Sequence, residues 1–447
     1  MTPMIRHSYP INFIFRNVQP VMLDFKFHVS GLRLLFLYSI ILFLCSGCSY
    51  SIFSGPREKI GFERASASGQ QKIIIADNAI YQNNRSGMQI RGNTPVKVTN
   101  CDVYQNGRAG INAENSGNVF IESSNIFQNG TSAVVGNNAS RIFVKNSLLH
   151  QNHRAGMRIR MSEKPLQEST LVSLINNKIF LNERGGVHAI SNALTPIRLF
   201  VSENVIYRNH EAGIRIEDNV YMAAAMNKIY RNGTSGIACY ITNDVSPKLD
   251  VYQNKIYFNR GPGIFVHSGS TGSIGISNNW IYNNQLAGIA CGLWDGPEKE
   301  KIDVEIFHNT IVGNGSDDNG TGVRNYSRGT VRVKNNIISY NFTSGILDDN
   351  CRGSSYNLLF ANGQTSSAKA SSRRQSLFIE REQYAGCIGK QWGDILADPL
   401  FVNPDQYDFS LQDDSPARDA ATTIHSSYFN KLPNNNLGAA PLLLPDR

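Results

Sequence analysis

The most regular feature of the chain is a short phrase, an aliphatic residue, usually an aromatic residue, any residue and then Asn. It occurs twelve times between Ala79 and Gly363, and a Gly mostly follows four residues later. A fixed phrase recurring every 20 to 30 residues is typical of a solenoid. The copies run Ile80 to Asn83, Val103 to Asn106, Ile126 to Asn129, Leu149 to Asn152, Ile179 to Asn182, Ile206 to Asn209, Ile229 to Asn232, Ile256 to Asn259, Ile281 to Asn284, Ile311 to Asn314, Ile338 to Asn341 and Leu359 to Asn362.

A second row of Asn lies five residues before the first, and an apolar row lies three residues before that. Between the rows apolar and polar residues alternate, as in Gly213-Ile214-Arg215-Ile216-Glu217, which is the period of a β-strand. Strands that recur at one phase stack in parallel about 4.8 Å apart. The sequence therefore predicts an all-β chain with a right-handed, single-stranded parallel β-helix of about twelve coils over residues 71–363.

The two Asn rows keep the same spacing from one repeat to the next, which favours a structural role for them. Asn tolerates the left-handed turn conformation, and its amide both donates and accepts, so stacked copies are expected to form ladders. The Gly position is expected to need a small residue or one that tolerates the left-handed conformation.

The two ends of the chain differ from the repeats. Residues 1–48 have the form of a signal region, with an apolar run from Leu34 to Leu44, and Met22 is an alternative start. Its last four residues, Cys45 to Cys48, resemble a bacterial lipobox with Cys48 as the acylated residue. An ordinary cleaved signal and a short membrane anchor are the alternatives. Residues 49–70 are predicted as a linker.

After the repeats, residues 364–390 have the composition of a loop. Within 391–447, the segments Ala397 to Val402, Asp408 to Leu411 and Asp414 to Ala420 resemble the closing segment of bacterial right-handed β-helix repeat proteins, and Asn436 to Ala439 resembles its last strand. This resemblance to the pectate-lyase-like superfamily implies a β-helix whose open end is capped. It implies no single function, since that superfamily includes lyases, hydrolases, epimerases, binding proteins and adhesins.

Charge and cysteine content narrow the choice of partners. A net charge of +8 over 447 residues, with scattered basic residues, favours anionic partners other than nucleic acid. Cys239 and Cys291 are expected in one inward column two coils apart, too far to bridge. Of the seven cysteines, Cys351 and Cys387 are the pair that we expect to be able to form a disulfide. We expect a monomer.

Candidate ligand-binding residues occupy the outward positions of the strand that follows Gly, and one occupies a nearby loop. Arginines grip carboxylates in a bidentate manner, and aromatic rings cover sugar rings. The alternative is a solvated strand face without a ligand. The candidates are Arg91, Arg158, Arg160, His188, Arg215, Glu217, Tyr240, His267, Trp294, Arg324 and Tyr326.

The Asn-Thr-Asp and Gly-His-Gly signatures of polygalacturonase-like enzymes and the Asp-Pro-His-Asp signature of alginate epimerases are absent from the sequence. If the protein is a carbohydrate-active enzyme, a lyase, epimerase or glycoside hydrolase, the catalytic candidates are Arg158, His188, Arg215 and Glu217. Asp317-Asp318 is a candidate calcium loop that is better interpreted as a turn, and we expect no metal site and no cofactor.

These observations predict an exported bacterial protein that binds an acidic polysaccharide along an outer strand face. It would be lipid-anchored at the outer membrane or in the periplasm, or secreted. A polysaccharide lyase or uronate epimerase is one alternative, and a structural or adhesive surface protein without a glycan ligand is the other.

Overall fold

A computed structural model describes most of the repeat region and parts of both ends. The described residues are 11–12, 24–27, 50–54, 61–65, 72–139, 141–162, 169–241, 248–268, 272–292, 303–316, 320–327, 329–348, 353–363, 383–385, 391–423 and 436–439. Several predictions made above lie outside them, namely those for Cys48, Trp294, Asp317-Asp318, Cys351 and Cys387. No helix within these ranges is long and apolar enough to cross a membrane.

The chain forms two compact units. Unit 1 comprises Met1–Arg184 with Ala193–Ile197, and unit 2 comprises Gly185–Asn192 with Arg198–Arg447. In each unit a coil contributes one strand to each of three parallel sheets. Sheet 1 contains the strand after the phrase Gly, sheet 2 contains the strand before the inner Asn row, and sheet 3 contains the strand of the phrase itself.

In unit 1 the three sheets have four or five coil strands each. Sheet 1 has Met88–Gly92, Ile111–Ser116, Val134–Asn137 and Met157–Met161. Sheet 2 has Lys72–Ala76, Val96–Thr99, Asn118–Glu122, Arg141–Lys145 and Thr170–Ile175. Sheet 3 has Ala79–Tyr81, Asp102–Tyr104, Asn125–Phe127, Leu148–His150 and Lys178–Phe180.

Four further strands lie in unit 1 before the first coil, at Ile11–Asn12, Asp24–Phe27, Tyr50–Ser54 and Gly61–Ala65. Tyr50–Ser54 pairs antiparallel with Met88–Gly92, and Gly61–Ala65 pairs antiparallel with Lys72–Ala76. The stretch predicted as a linker therefore adds strands to the edges of sheets 1 and 2.

The described part of unit 2 has seven copies of the sheet 3 strand. Sheet 1 has Val187–Ser191, Ile214–Asp218, Ile237–Ile241, Ile264–Ser268, Ile289–Cys291, Thr321–Asn325, Ser344–Asp348 and Tyr384–Ala385. Sheet 2 has Val220–Ala225, Lys248–Tyr252, Ser273–Ser277, Asp303–Phe307, Val331–Lys334 and Ser354–Ser355, and Ile197–Ser202 spans the boundary between the units. Sheet 3 has Val205–Tyr207, Lys228–Tyr230, Lys255–Tyr257, Trp280–Tyr282, Thr310–Val312, Ile337–Ser339 and Leu358–Phe360. The predicted parallel β-helix is confirmed.

The Asn rows form the expected ladders. Asn232, which is fully buried, accepts from the backbone N–H and the side-chain amide of Asn209 at 3.1 and 3.0 Å, and its own amide donates to Asn259 at 3.0 Å. The expected reason for Asn was partly wrong, because the left-handed conformation falls on the residue before each ladder Asn, such as Arg231 with φ 53°. Asn is required here for its hydrogen bonds rather than for its backbone.

The phrase Gly is required for close packing. A Cβ on Gly110 would lie 2.4 Å from Ile126 Cγ2 and 2.8 Å from the Ala133 carbonyl oxygen, although Gly110 has no positive φ. The expectation of a small residue is confirmed, and the left-handed conformation is not the reason for it.

The C-terminal region closes the last coil. The side chains of Gln383 and Asp394 accept the last hydrogen bonds of the two ladders, from Asn362 and Asn357 respectively. These acceptors terminate ladders that would otherwise end in unsatisfied donors.

Beyond this closure, an antiparallel pair, Phe401–Asn403 and Asp408–Leu411, is joined by the 3-10 turn Pro404–Gln406. Phe401, Phe409 and Leu437 pack in one buried cluster with side chains of sheet 3, among them Trp280 and Leu358. The cap therefore also covers a flank of the last coils. Residues 436–439 form a bend rather than the expected strand, and Gly438 donates to the Asn335 carbonyl at 2.8 Å.

Candidate functional site

The outer face of sheet 1 in unit 2 collects most of the candidate residues. Backbone pairing places one outward position of each coil directly over the next. The first outward column is His188, Arg215, Ala238, Phe265, Ala290 and Arg324, and the second contains Glu217, Tyr240 and His267. The predicted stacking of these positions is confirmed within unit 2.

Glu217 is the centre of a polar cluster on this face. His188 Nε2 lies 3.0 Å from Glu217 Oε1, and Arg215 Nε donates to the same oxygen. Mainly because His188 hydrogen-bonds to it, and also because Arg215 is close, the pKa of Glu217 lies below its ordinary value despite partial burial. Glu217 is therefore ionised at neutral pH and serves as an anchor for both basic side chains.

Arg215 is held from a second side by an aromatic group. Its guanidinium carbon lies 4.5 Å from the centroid of the Tyr240 ring, a cation–π distance. Tyr240 meets Phe265 edge to face at 5.5 Å and His267 at 6.1 Å. The arginine is thus fixed on an aromatic patch while its side chain keeps 36% of its exposure.

Two alanines shape the surface around the aromatic patch. Ala238 and Ala290, on the coils before and after Phe265, are buried at 1% and 0% exposure. Phe265, itself only 8% exposed, packs with Ala290 in one buried cluster against Tyr240.

Arg324 lies in the same column, with Leu347 stacked on the next coil. Its guanidinium carbon is 5.1 Å from the Tyr326 ring, and its buried Nε has no hydrogen-bond partner among the residues that the structure describes. Four coil steps separate Arg215 from Arg324, about 19 Å at about 4.8 Å per coil. The column therefore has two arginines supported by tyrosines, four coils apart, with the buried Phe265 midway between them.

The remaining candidates lie in unit 1. Arg91 is ion-paired with Glu114 at 2.6 Å, as Arg215 is with Glu217. Arg158 and Arg160 are outward on Met157–Met161, in register with Val135 and Asn137. They are positioned as predicted, on the unit that does not contain the Glu217 cluster.

Phe265, Ala238 and Ala290 complete the surface but were not among the sequence candidates. The signal for Phe265 was available, since it is an outward aromatic residue of the same row. The alanines gave no signal, because the packing of Phe265 against Ala290 depends on the folded structure.

The cysteines of this sheet are structural. Cys239 and Cys291 lie in one inward column with Val266 between them, as predicted, and burial raises the pKa of each thiol to about 12. Thiols with such pKa values stay protonated and unreactive at neutral pH. Across the residues that the structure covers, no group of three or more His, Cys, Asp or Glu is placed to hold a metal ion.

Comparisons with known proteins concern the fold. Solved structures similar to this chain include a pectate lyase, at 14% identity and a TM-score of 0.41, covering 87% of each chain. The periplasmic alginate epimerase AlgG matches at 13% identity and a TM-score of 0.35, over 59% of this chain and 83% of its own. The A-module of a mannuronan C-5 epimerase from Azotobacter vinelandii matches at 14% and 0.35, over 74% and 90%.

A search of curated proteins gives no match. The model of the family described as right-handed β-helix region matches residues 38–171 and 166–304, which together span more than half of the chain. The chain therefore belongs to the right-handed β-helix family.

Proposed function

We propose that the protein binds an acidic polysaccharide on the outer face of sheet 1 in unit 2, along the column from Arg215 to Arg324. The observation that carries the proposal is the fixed placement of two arginines, each on a tyrosine ring, four coil steps apart in one outward column. Carboxylates of a uronate polymer would pair with the guanidinium groups. A sugar ring would cover Tyr240, which is partly exposed beside Arg215.

Preorganisation supports this assignment. Glu217 and Tyr240 restrict the Arg215 side chain before any ligand arrives, so little side-chain entropy is lost on binding. A solvated strand face without a ligand has no need of such support. This contrast favours a ligand surface over a purely structural or adhesive role.

The state of Glu217 favours binding over catalysis. A general acid or base works best with a pKa near the operating pH. Hydrogen bonding from His188 lowers the pKa of Glu217 instead, and the carboxylate is already engaged by Arg215. We therefore propose a non-enzymatic glycan-binding protein ahead of a lyase, an epimerase or a glycoside hydrolase.

The proposal includes an exported location. The segment Cys45 to Cys48 would supply a lipid anchor at Cys48 in the cell envelope, where acidic polysaccharides are accessible. Cleavage elsewhere in the signal region would instead give a secreted or periplasmic protein. Both places suit a monomer that binds a glycan.

The test is a calorimetric titration of the full chain with polygalacturonate and alginate at two salt concentrations. Wild type should bind more weakly at higher salt, because exposed charges are screened over about 10 Å at 0.1 M. The double variant Arg215→Ala with Arg324→Ala should lose about 2 to 5 kcal/mol of affinity, at roughly 1 to 2.5 kcal/mol for each charge-assisted contact.

The matched control is Arg198→Ala with Lys334→Ala, two outward basic residues of sheet 2. It should bind like wild type. Equal binding by wild type and the Arg215/Arg324 variant would refute the proposed site, and release of unsaturated or epimerised product would establish an enzyme instead.

A further inference from the structure

Unit 1 carries a column of arginines in the turn between sheet 3 and sheet 1. The backbone N–H of each column member donates to the carbonyl of the member one coil earlier, over 3.0 to 3.1 Å. These bonds place the residues one above another. The column is Arg85, Arg108, Thr131, Arg154 and Arg184.

The four arginine side chains are exposed, and within the described part of the chain none forms an ion pair with a carboxylate. Arg85 and Arg108 are one coil apart, about 4.8 Å along the axis, as are Arg154 and Arg184. Like charges at such spacing repel each other. Their accumulation is an electrostatic cost that an anionic ligand would relieve.

The fold does not require arginine at this position. In unit 2, the same position of the phrase holds Glu211, Thr234 and Gly261, and the same backbone hydrogen bonds form between them. The charge is thus a property of the unit 1 surface and not of the coil.

A second polar column runs beside the arginines. Gln82, Gln105, Gln128 and Gln151 each precede a ladder Asn, are exposed, and have φ values between 51° and 55°. Gln105 Nε2 donates to Gln128 Oε1 at 3.3 Å. Amides that both donate and accept suit the hydroxyl groups of sugars.

Between the two columns the surface includes glycines. The carbonyl oxygens of the preceding coil lie 2.6 Å from a Cβ on Gly107 and 2.4 Å from one on Gly130. Side chains are therefore excluded on those two coils. On the other coils the same position holds Asn84, His153 and Glu183, and His153 and Glu183 are ion-paired at 2.8 Å.

We propose that this arginine–glutamine face of unit 1 is a second site for an acidic polysaccharide, which runs along the two columns. The single file of charges fits a linear polyanion, whereas a membrane surface would not require single file. The face offers no open aromatic ring for nucleic-acid bases, because Tyr81, Tyr104 and Phe127 stack on one another at 4.9 Å. The amides of the glutamine column can hydrogen-bond to the hydroxyl groups of sugars, which simple inorganic anions lack.

The test uses the full chain with the double substitution Arg108→Gln and Arg154→Gln. Its control, Arg141→Gln with Lys145→Gln, removes the same charge from exposed positions on sheet 2 of the same unit. The probes are alginate, pectate, neutral dextran, phosphatidylglycerol vesicles and single-stranded DNA, at one low salt concentration.

The Arg108/Arg154 variant should bind alginate or pectate roughly tenfold more weakly than the control does. The same loss should be seen when the two substitutions are added to the Arg215→Ala, Arg324→Ala variant. The result therefore does not depend on whether the unit 2 site binds the glycan. Equal binding by variant and control would overturn the site. Binding of the vesicles or the DNA but not of the glycans, if lost in the variant, would overturn the glycan assignment.

Discussion

The Asn ladder of unit 2 gives the most quantitative prediction about the fold. Replacing Asn232 by Ala removes the oxygen that accepts from the Asn209 backbone N–H at 3.1 Å and from the Asn209 side-chain amide at 3.0 Å. It also removes the amide that donates to Asn259 and to the Ile206 carbonyl. All of these groups lie in the fully buried interior of the turn.

The magnitude follows from the groups left without partners. Asn259 Oδ1 loses the hydrogen bond from the Asn232 side chain but still accepts from the backbone N–H of residue 232, at 3.0 Å. The backbone N–H of Asn209 loses its acceptor, and an unsatisfied buried donor costs about 1 to 3 kcal/mol. We expect the Asn232→Ala variant to be destabilised by about 1 to 3 kcal/mol.

The assay combines urea denaturation with amide hydrogen exchange of the peptide that contains Asn209. Thr234→Ala is the control, because Thr234 is exposed and lies two residues away in the same turn. The ladder variant should unfold at lower urea and lose protection at Asn209, and the control should match wild type. An unchanged midpoint with unchanged exchange at Asn209 would refute the view that the ladder stabilises the coil.

Further predictions concern the site, acid stability and anchoring. Glu217→Gln should strengthen uronate-polymer binding by about 2- to 5-fold, since it removes an anion beside Arg215; a large loss of affinity would argue that Glu217 contacts the ligand. Burial lowers the pKa of His308 from 6.5 to about 4, so the unfolded chain binds more protons between these values. The free energy of unfolding should therefore fall by about 2 to 3 kcal/mol from pH 6.5 to 4. The His308→Gln variant should show a smaller fall when it is compared with wild type by urea denaturation at both pH values. An equal fall in both proteins would exclude His308 as its source. Cys48→Ala should abolish lipid labelling and release the protein from membranes, and retention would rule out Cys48 as the anchor.

The fold was predictable from the sequence because the β-helix repeats a local interaction. The phrase Asn occurs twelve times at the same place in the repeat, so all copies are expected to share one structural environment. The outward row was predictable for the same reason, since strand alternation assigns a face to every residue. Arg215, Glu217 and Tyr240 were found in this way.

Pairing between coils was not predictable at the level of side chains. The row places His188 and Glu217 on adjacent coils, but the hydrogen bond between them depends on rotamers. The sequence also did not predict that the cap packs on the flank of sheet 3. Phe401 and Phe409 indicate that the cap buries apolar side chains, but not which part of the β-helix they contact. The spacing of the unit 1 arginines can be read from the sequence. Only the structure shows that the turn places them one above another on the surface.

Hydroxyl-radical footprinting with and without a uronate polymer tests the central claim most directly. Tyr240 and His267 are partly exposed, oxidisable residues of the proposed face, whereas Phe200 and Tyr221 are exposed on sheet 2, at 46% and 36%. The account predicts that the polymer protects Tyr240 and His267 and leaves Phe200 and Tyr221 unchanged. Protection of Phe200 and Tyr221 with no change at Tyr240 and His267 would contradict it.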